Sequence, residues 1–180
     1  QAVPLIYSSG PAAFDYAFRR AGLTAEGFLQ AAFVDGAGMF GYPRHWVGEL
    51  GGKVVATGTG YSGEVNLRNM LSATRQIMLC YGPISAFPVM FNGLQLEQII
   101  QPPPRQTYYL AHLGVAESLR GEGIGTRLVE HLLKLGRAAG FQRAALDVAA
   151  SNPQAQALYE RLGFVVEDER VSRLSGIANH

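Results

Sequence analysis

Three glycines at alternate positions, Gly121, Gly123 and Gly125, stand between an apolar run and a stretch whose apolar residues recur at helical spacing. Glycine lets the backbone approach a ligand closely and adopt conformations that other residues resist. The first N–H groups of a helix lack an intrahelical partner and carry partial positive charge, so a glycine-rich turn that opens a helix can bind an anion. The pattern predicts a phosphate or pyrophosphate site, although such turns also serve as simple tight connections.

Two known phosphate motifs match this turn poorly. A P-loop ends in Gly-Lys-Ser/Thr, and the nearest lysine, Lys134, comes a turn of helix or more too late. The dinucleotide fingerprint follows its strand at once and wants Gly or Ala where this chain has Thr126, whereas five residues separate Val115 from Gly121. Asp147, at the end of the next apolar stretch, stands about where a ribose-binding acid would, so a nucleotide- or dinucleotide-binding enzyme stays open as an alternative.

A candidate general base is His112, which lies in the apolar run before the glycines. Histidine titrates near neutral pH, although a lone histidine in a strand is more often a core residue. Simple alternation puts His112 on one face with Tyr108 and Leu110 and puts Leu113 on the other, and a bulge would switch the faces partway. Rival bases are Tyr109, Glu117, Glu64 and a chain of water molecules.

The other reactive residue types point to no further chemistry. Cys80, the single cysteine, lies in an apolar run and is expected to be a small core residue rather than a nucleophile. His45 and His131 are expected at the surface, and no two histidines have the spacing of metal ligands, so no metal is predicted. A serine hydrolase is disfavoured because the sequence has no Gly-x-Ser-x-Gly elbow.

The glycine turn requires a strand before it and a helix after it. Tyr109 to Val115 has the composition of a buried strand, and Thr126 to Ala139 repeats leucine and valine at helical spacing. Upstream, the patterns predict a helix at Phe14–Arg20 and a second helix that Thr24 caps and that runs to about Phe33. A hairpin of His45–Leu50 and Lys53–Gly60 is predicted to follow.

Residues 62–106 are predicted to form a helical insertion. Apolar spacing indicates a helix from about Glu64 to Cys80 that ends at Gly82-Pro83, and Phe87 to Ile100 is expected to be helical in part. The insertion would wall a substrate pocket, form a dimer contact or simply cover one face of the sheet. After the central block, two closing strands are predicted at residues 164–170 and 172–177.

Size and charge narrow the class of protein. The chain has 180 residues, which predicts a single domain over residues 1–180 with a real core. A net charge of +1 gives no argument for nucleic acid or a membrane surface as partner. We expect no membrane span, because the longest apolar runs are short, and no signal peptide. A lone cysteine suits a reducing cytoplasm.

The spacing Arg120-x-x-Gly123-x-Gly125 resembles the signature loop of the GNAT superfamily of N-acetyltransferases, Gln/Arg-x-x-Gly-x-Gly/Ala. A second block, Asn152-x-x-Ala-x-x-Leu-Tyr159-x-x-x-Gly-Phe, matches the family pattern at every position. The resemblance implies an α/β (α+β) GNAT fold, with a mixed, mainly antiparallel twisted sheet, a splayed central pair of strands and helices on both faces.

The same resemblance implies transfer of an acetyl group from acetyl-CoA to a primary amine by direct attack, with Tyr159 as general acid to the CoA thiolate. Backbone groups of Leu113 and Val115 would pair with the pantetheine arm, which Asn152 would also contact. Asn152-Pro153 equally has the pattern of an N-cap and first helical residue. The CoA pyrophosphate would be wrapped by Arg120, Gly121, Gly123, Ile124, Gly125 and Thr126.

The acceptor is left open by the resemblance: a small amine, an amino acid, an antibiotic, a protein N-terminus or a lysine. Such domains are frequently homodimers, and this sequence carries no motif that shows one. The runner-up hypothesis is a catalytically weak module that binds acyl-CoA as a sensor or structural partner.

Overall fold

In the computed structural model, which describes residues 1–180, four strands form one sheet with six α-helices around it. The strands are β1 (His45–Leu50), β2 (Lys53–Ser62), β3 (Thr107–Val115) and β4 (Arg143–Ala145). The helices are α1 (Ala2–Ser8), α2 (Pro11–Phe18), α3 (Ala25–Asp35), α4 (Asn66–Leu96), α5 (Ile124–Ala138) and α6 (Pro153–Arg161).

The sheet is mixed and mainly antiparallel, in the order β1-β2-β3-β4, as predicted. The β1–β2 hairpin turns at Gly51-Gly52, where both glycines have the positive φ that a tight two-residue turn requires. β4 runs parallel to β3, and this pairing covers only Thr107–Tyr109 of β3. Beyond Tyr109 the two strands separate, which confirms the expected splay.

Apolar clusters lie on both faces of the sheet and hold the helices there. One cluster joins α1, α3 and α4 through residues such as Ile6, Phe28 and Val89, with α2 packed against it. The other joins β3 and α5 through Leu110 and Leu132, with α6 packed against it. Helices therefore cover both faces, as the family resemblance implies.

The N-terminal helices agree with the sequence in part. The Thr24 hydroxyl accepts a hydrogen bond from the Gly27 N–H at 3.0 Å, so Thr24 caps α3 as predicted. α2 begins at Pro11 and ends at Phe18, earlier than predicted, because proline suits the first helical turn. α1 was not predicted. Its Leu5 carbonyl would lie 2.1 Å from a Cβ on Gly114, so β3 needs glycine there for α1 to pack.

The predicted insertion is helical, and its first helical segment ends at Gly82 as predicted. The helical path of α4 breaks at Gly82, which has φ 70° and ψ 168°, and a second helical segment follows through to Leu96. By length and apolar composition alone, Gly63–Leu96 could cross a membrane. Within the protein, only 17% of its most apolar window is buried. The long helix thus exposes a large part of its apolar surface.

The two closing strands predicted at residues 164–170 and 172–177 are absent. β4 is only three residues long and offers no ladder on which they could build. Instead, Arg170 anchors the tail: its guanidinium donates to the Ile99 carbonyl at 2.7 Å and to Asp147 at 2.9 Å. Its backbone N–H and C=O both hydrogen-bond with His180.

Candidate active site

The glycine turn leaves a row of backbone N–H groups unpaired. α5 begins at Ile124, and its first intrahelical bond is donated by Arg127 to the Gly123 carbonyl at 3.1 Å. The six N–H groups from Gly121 to Thr126 donate to no protein carbonyl. Because they lie at the positive end of the α5 dipole, they have the arrangement that the predicted anion site requires.

Two glycines of the turn are required by backbone conformation rather than by crowding. Gly121 has φ 86° and Gly123 has φ 77°, the left-handed region that side-chain-bearing residues disfavour. A Cβ at either position would meet no atom within 4 Å. Gly125 differs, because a Cβ there would lie 3.3 Å from Leu158 and 3.7 Å from Val115. It therefore allows the start of α5 to approach both α6 and β3.

The edge of β3 from Leu110 to Val115 is unpaired on the side of β4 and ends beside the same turn, and we call this edge the slot. From Leu110 to Val115, β3 pairs with β2 on one side only, because β4 ends at Ala145. Leu113 and Val115 both lie in this half, and their side chains pack with the cluster of α5 and α6. The free edge of β3 can accept an extended ligand as a neighbouring strand, which is the role that the family resemblance implies for these two residues.

A β-bulge divides the faces of β3 at His112. Thr59 of β2 pairs with Ala111 and Thr57 pairs with Gly114, so β3 has one residue more than β2 in this interval. His112 has a positive φ of 55°. Of the two alternatives, the bulge is confirmed and simple alternation fails beyond Ala111. Leu113 packs in the same cluster as Tyr108 and Leu110, and His112 turns to the opposite face.

On that face, His112 lies in an aromatic cage beside a second histidine. Its ring stacks on those of Phe40 and His45, each at a centroid distance of 5.2 Å, and lies 6.0 Å from Phe14. His112 Nδ1 is 3.0 Å from His45 Nε2, and His45 Nδ1 is 3.0 Å from the Gly41 carbonyl oxygen. The prediction that His45 is a surface residue was wrong.

These contacts assign the tautomers of both rings. A carbonyl oxygen only accepts, so His45 Nδ1 carries a proton and His45 Nε2 is the acceptor. His112 Nδ1 must then donate, which leaves the lone pair on His112 Nε2. This nitrogen has no protein partner and is not enclosed. The pair thus leaves one unprotonated nitrogen, His112 Nε2, without a protein partner.

Both histidines are neutral at physiological pH. Burial, and secondarily the neighbouring His45, lower the pKa of His112 to about 3, and burial lowers the pKa of His45. A proton on either ring would have to be held among phenylalanine rings. His112 is therefore available as an acceptor throughout the neutral range, although its basicity is low.

Tyr159 lies on the other face, beside the slot. It packs in the cluster that contains Leu113, Val115 and Ile124, with its ring 6.0 Å from that of Phe164. Burial raises the pKa of Tyr159 to about 12, so the phenol stays protonated. Its hydroxyl has no protein partner and is not enclosed. The structure brings this hydrogen-bond donor together with the glycine turn and the free edge of β3.

The rival bases are placed less favourably. The Tyr109 hydroxyl donates to Asp147 at 2.7 Å, and burial together with that carboxylate raises the pKa of Tyr109 well above its usual value. Asp147 also holds Arg170, so it belongs to a structural cluster and is not a free ribose-binding acid. Glu64 and Glu117 are exposed on short 3-10 helices.

Asn152 lies at the start of α6, and Arg120 lies beside the end of β3. Asn152 Oδ1 accepts from the Ala155 N–H at 3.2 Å, with Pro153 as the first helical residue, so Asn152 caps α6. Arg120 is exposed, and its Nε is 3.4 Å from the Val115 carbonyl. Most of its guanidinium donors remain free for an anionic group.

Asn152→Ala is expected to lower the free energy of unfolding by about 1 kcal/mol, because the α6 cap is lost. If Asn152 also contacts the CoA arm, the same change will weaken acetyl-CoA binding several-fold. Thr24→Ala is the matched control, since it removes a cap of similar geometry from α3, away from the slot. Urea unfolding and calorimetric titration of both variants measure the two effects. If the two variants bind acetyl-CoA with equal affinity, Asn152 only caps α6 and does not contact the CoA arm.

Comparison with known proteins agrees with this geometry. Residues 12–164 match the model of the acetyltransferase (GNAT) family, and the chain belongs to that family. GNAT enzymes use acetyl-CoA as cosubstrate and act on amine acceptors. The class expected from the glycine turn and the Asn152–Phe164 block is thereby confirmed.

Among curated proteins, the chain is 34% identical over 74 residues to the 5-NmdU N-acetyltransferase of Pseudomonas phage PaMx11, a match that covers 41% of this chain and 49% of that protein. It is 41% identical over 63 residues to the N-alpha-acetyltransferase MAK3 of Arabidopsis thaliana, over 34% of this chain and 33% of that protein. The chain thus spans less than half the length of these relatives.

A solved N-acetyltransferase from Staphylococcus aureus Mu50 superposes with a TM-score of 0.70 at 21% sequence identity, over 99% of this chain and 90% of that one. A ribosomal-protein-alanine N-acetyltransferase from Brucella melitensis superposes with a TM-score of 0.51 at 18% identity, over 98% and 88%. These similarities confirm the fold.

Proposed function

We propose that this protein transfers an acetyl group from acetyl-CoA to a primary amine by direct attack, with no covalent enzyme intermediate. The observation that carries the proposal is the meeting of three features: six unpaired N–H groups at the α5 N-terminus, the free edge of β3 and the unpartnered Tyr159 hydroxyl. A pyrophosphate, an extended amide-bearing arm and a leaving thiolate need these three kinds of partner.

Each residue has a distinct task in this proposal. Gly121 to Thr126, with Arg120 beside them, bind the pyrophosphate, and backbone groups of Leu113 and Val115 hydrogen-bond the pantetheine amides. When bound, acetyl-CoA supplies the activated acetyl thioester. As the C–N bond forms and the C–S bond breaks, Tyr159 donates a proton or hydrogen bond to the departing sulfur, which makes that sulfur a better leaving group.

His112 is the proposed proton acceptor on the amine side. The attacking nitrogen gains positive charge as the C–N bond forms, and it must then lose a proton. His112 Nε2 carries the available lone pair, and the hydrogen bonds from His112 Nδ1 to His45 and from His45 Nδ1 to the Gly41 carbonyl hold the ring in this tautomer. Because the pKa of His112 is lowered to about 3, it acts on a nitrogen that has begun to bond rather than on a free ammonium ion.

His112 gives the stability of the protein a defined pH dependence. Its folded pKa of about 3 lies below the ordinary value of 6.5, so the unfolded chain binds the proton more readily. The contribution to stability is complete above about pH 6.5 and declines as the pH falls towards 3. This effect should make the wild-type protein about 2 kcal/mol less stable at pH 5 than at pH 7, and His112→Gln should abolish that loss. Urea unfolding at the two pH values measures the free energy of unfolding of both proteins.

His131→Gln is the control for this measurement, because His131 is exposed on α5. It should leave the pH dependence of stability unchanged. In the active enzyme, His112→Gln should lower kcat about tenfold or more. The kcat/KM of the wild-type enzyme should increase with pH up to the pKa of the amine substrate, and titration of His112 should cause no inflection near pH 6.5. An unchanged kcat in His112→Gln removes His112 from the mechanism.

Ligand-induced stabilisation tests the proposed cosubstrate. Acetyl-CoA and CoA, each at a hundred times its dissociation constant, should stabilise the protein by about 2.7 kcal/mol, seen as a higher Tm, whereas NAD and ATP should not. A shift with NAD or ATP alone would overturn the proposal in favour of a nucleotide-binding enzyme. A panel of amines, including peptide N-termini, with detection of released thiol then identifies the acceptor.

The cellular compartment proposed for this activity is the cytoplasm. Cys80 is the single cysteine, it packs against the core cluster of α1, α3 and α4 as expected, and burial raises the pKa of its thiol. A partly buried thiol with a raised pKa and the absence of a second cysteine in this sequence suit a reducing environment.

A further inference from the structure

The outward side of α4 is an apolar surface that nothing in the chain covers. Nine of its large apolar side chains are between 40% and 90% exposed, among them Leu67, Leu71, Leu79, Ile84 and Phe87. The side chains on the opposite side of the helix, such as those of Ile77 and Val89, pack in the core cluster. We call the exposed set the α4 face.

The α4 face differs from an ordinary solvent-facing helix. Six of the nine exposed apolar residues lie between Arg75 and Glu97, a stretch without a charged residue, whereas the exposed Arg68 and Arg75 lie beside the other three. α5, in contrast, presents arginine, lysine and glutamate to solvent. The central parts of protein interfaces are depleted of charge and enriched in phenylalanine and methionine, the composition that α4 presents.

We propose that the α4 face is the interface of a homodimer, in which α4 of one protomer packs against α4 of its partner. At roughly 200 Å² for a large side chain, the exposed fractions amount to about 1,000 Å² per protomer, well above the largest patch of a typical monomer and close to the area each partner buries in a standard interface. Because six of the nine exposed apolar residues lie in the charge-free stretch from Gln76 to Leu96, a partner recruited there by electrostatic attraction is disfavoured. Interfaces between identical chains are the more apolar kind.

The kink in α4 suits a two-fold arrangement. Gly82 lies between five exposed large apolar residues on its N-terminal side and four on its C-terminal side, and a Cβ at Gly82 would meet no atom within 4 Å. A two-fold axis at Gly82 would set the first half of one α4 against the second half of its partner. Since α4 packs on α2 and α3 and not on α5, the dimer would leave the glycine turn free.

Sedimentation equilibrium over a range of protein concentrations tests the dimer directly. The wild-type protein should show twice the chain mass of 19.4 kDa. The double variant Ile84→Glu, Phe87→Glu should raise the dimer dissociation constant at least about 100-fold, because it places four carboxylates in one apolar interface. The double variant Leu67→Glu, Leu71→Glu should raise the dimer dissociation constant similarly, although it changes the other half of the face. The same result from two separate variants cannot be explained by a folding defect in one of them.

Leu50→Glu is the matched control, since Leu50 is an exposed apolar residue at the end of the β1–β2 hairpin, off the α4 face. It should remain dimeric, and circular dichroism should show unchanged helix content in every variant. A wild-type protein that is monomeric at all concentrations, or well-folded α4 variants that dimerise as Leu50→Glu does, would overturn the proposal. A monomer that co-sediments with phosphatidylcholine vesicles would overturn it in favour of a lipid surface.

Discussion

Tyr159→Phe is expected to lower kcat by about 100- to 1,000-fold and to leave the Kd for acetyl-CoA within about twofold. The change removes one hydroxyl that contacts no protein group, so the cluster with Leu113 and Val115 keeps its packing. What is lost is the proton donor beside the slot, whose pKa of about 12 keeps it protonated. Stopped-flow turnover and calorimetric titration of acetyl-CoA measure the two quantities separately.

Tyr42→Phe is the control, because Tyr42 is an exposed tyrosine outside the slot. Turnover of Tyr159→Phe within threefold of wild type would mean that Tyr159 is only a core residue of α6. Equal losses in kcat and in acetyl-CoA affinity would indicate a packing defect. If the wild-type protein binds acetyl-CoA but turns over no amine, the acyl-CoA-binding module is the better description.

Gly123→Val is expected to raise the Kd for acetyl-CoA about 10- to 100-fold. A β-branched residue disfavours the φ of 77° that Gly123 adopts, so the turn should relax and move the N–H groups from Gly121 to Thr126 out of alignment. The strain should also lower the free energy of unfolding by about 1–3 kcal/mol. Calorimetric titration and urea unfolding follow the two effects.

Gly140→Val supplies a matched control at the other end of the same helix. Gly140 has φ 89°, and its Cβ, like that of Gly123, would meet no atom within 4 Å. Both variants should lose similar stability, whereas only Gly123→Val should lose acetyl-CoA affinity. Equal affinities in the two variants would show that the turn does not hold the pyrophosphate.

Local patterns in the sequence were sufficient to predict the parts of the site that depend on neighbouring residues. The glycine turn, the start of α5 and the Asn152 cap each involve contacts within a few positions along the chain, so spacing and residue type predict them. The β1–β2 hairpin was predicted for the same reason, since a two-glycine turn determines its own register.

Only the tertiary structure determined what lies across the sheet. The bulge at His112 arises from the pairing of β3 with β2, and it decides that His112 and Tyr159 lie on opposite faces. His45 meets His112 because β1 pairs His45 with Thr59, which pairs with Ala111 in turn. The missing closing strands follow from the short β4, and the exposure of α4 follows from which of its sides packs on α2 and α3. Each depends on residues far apart in the chain, and no local spacing encodes such pairings.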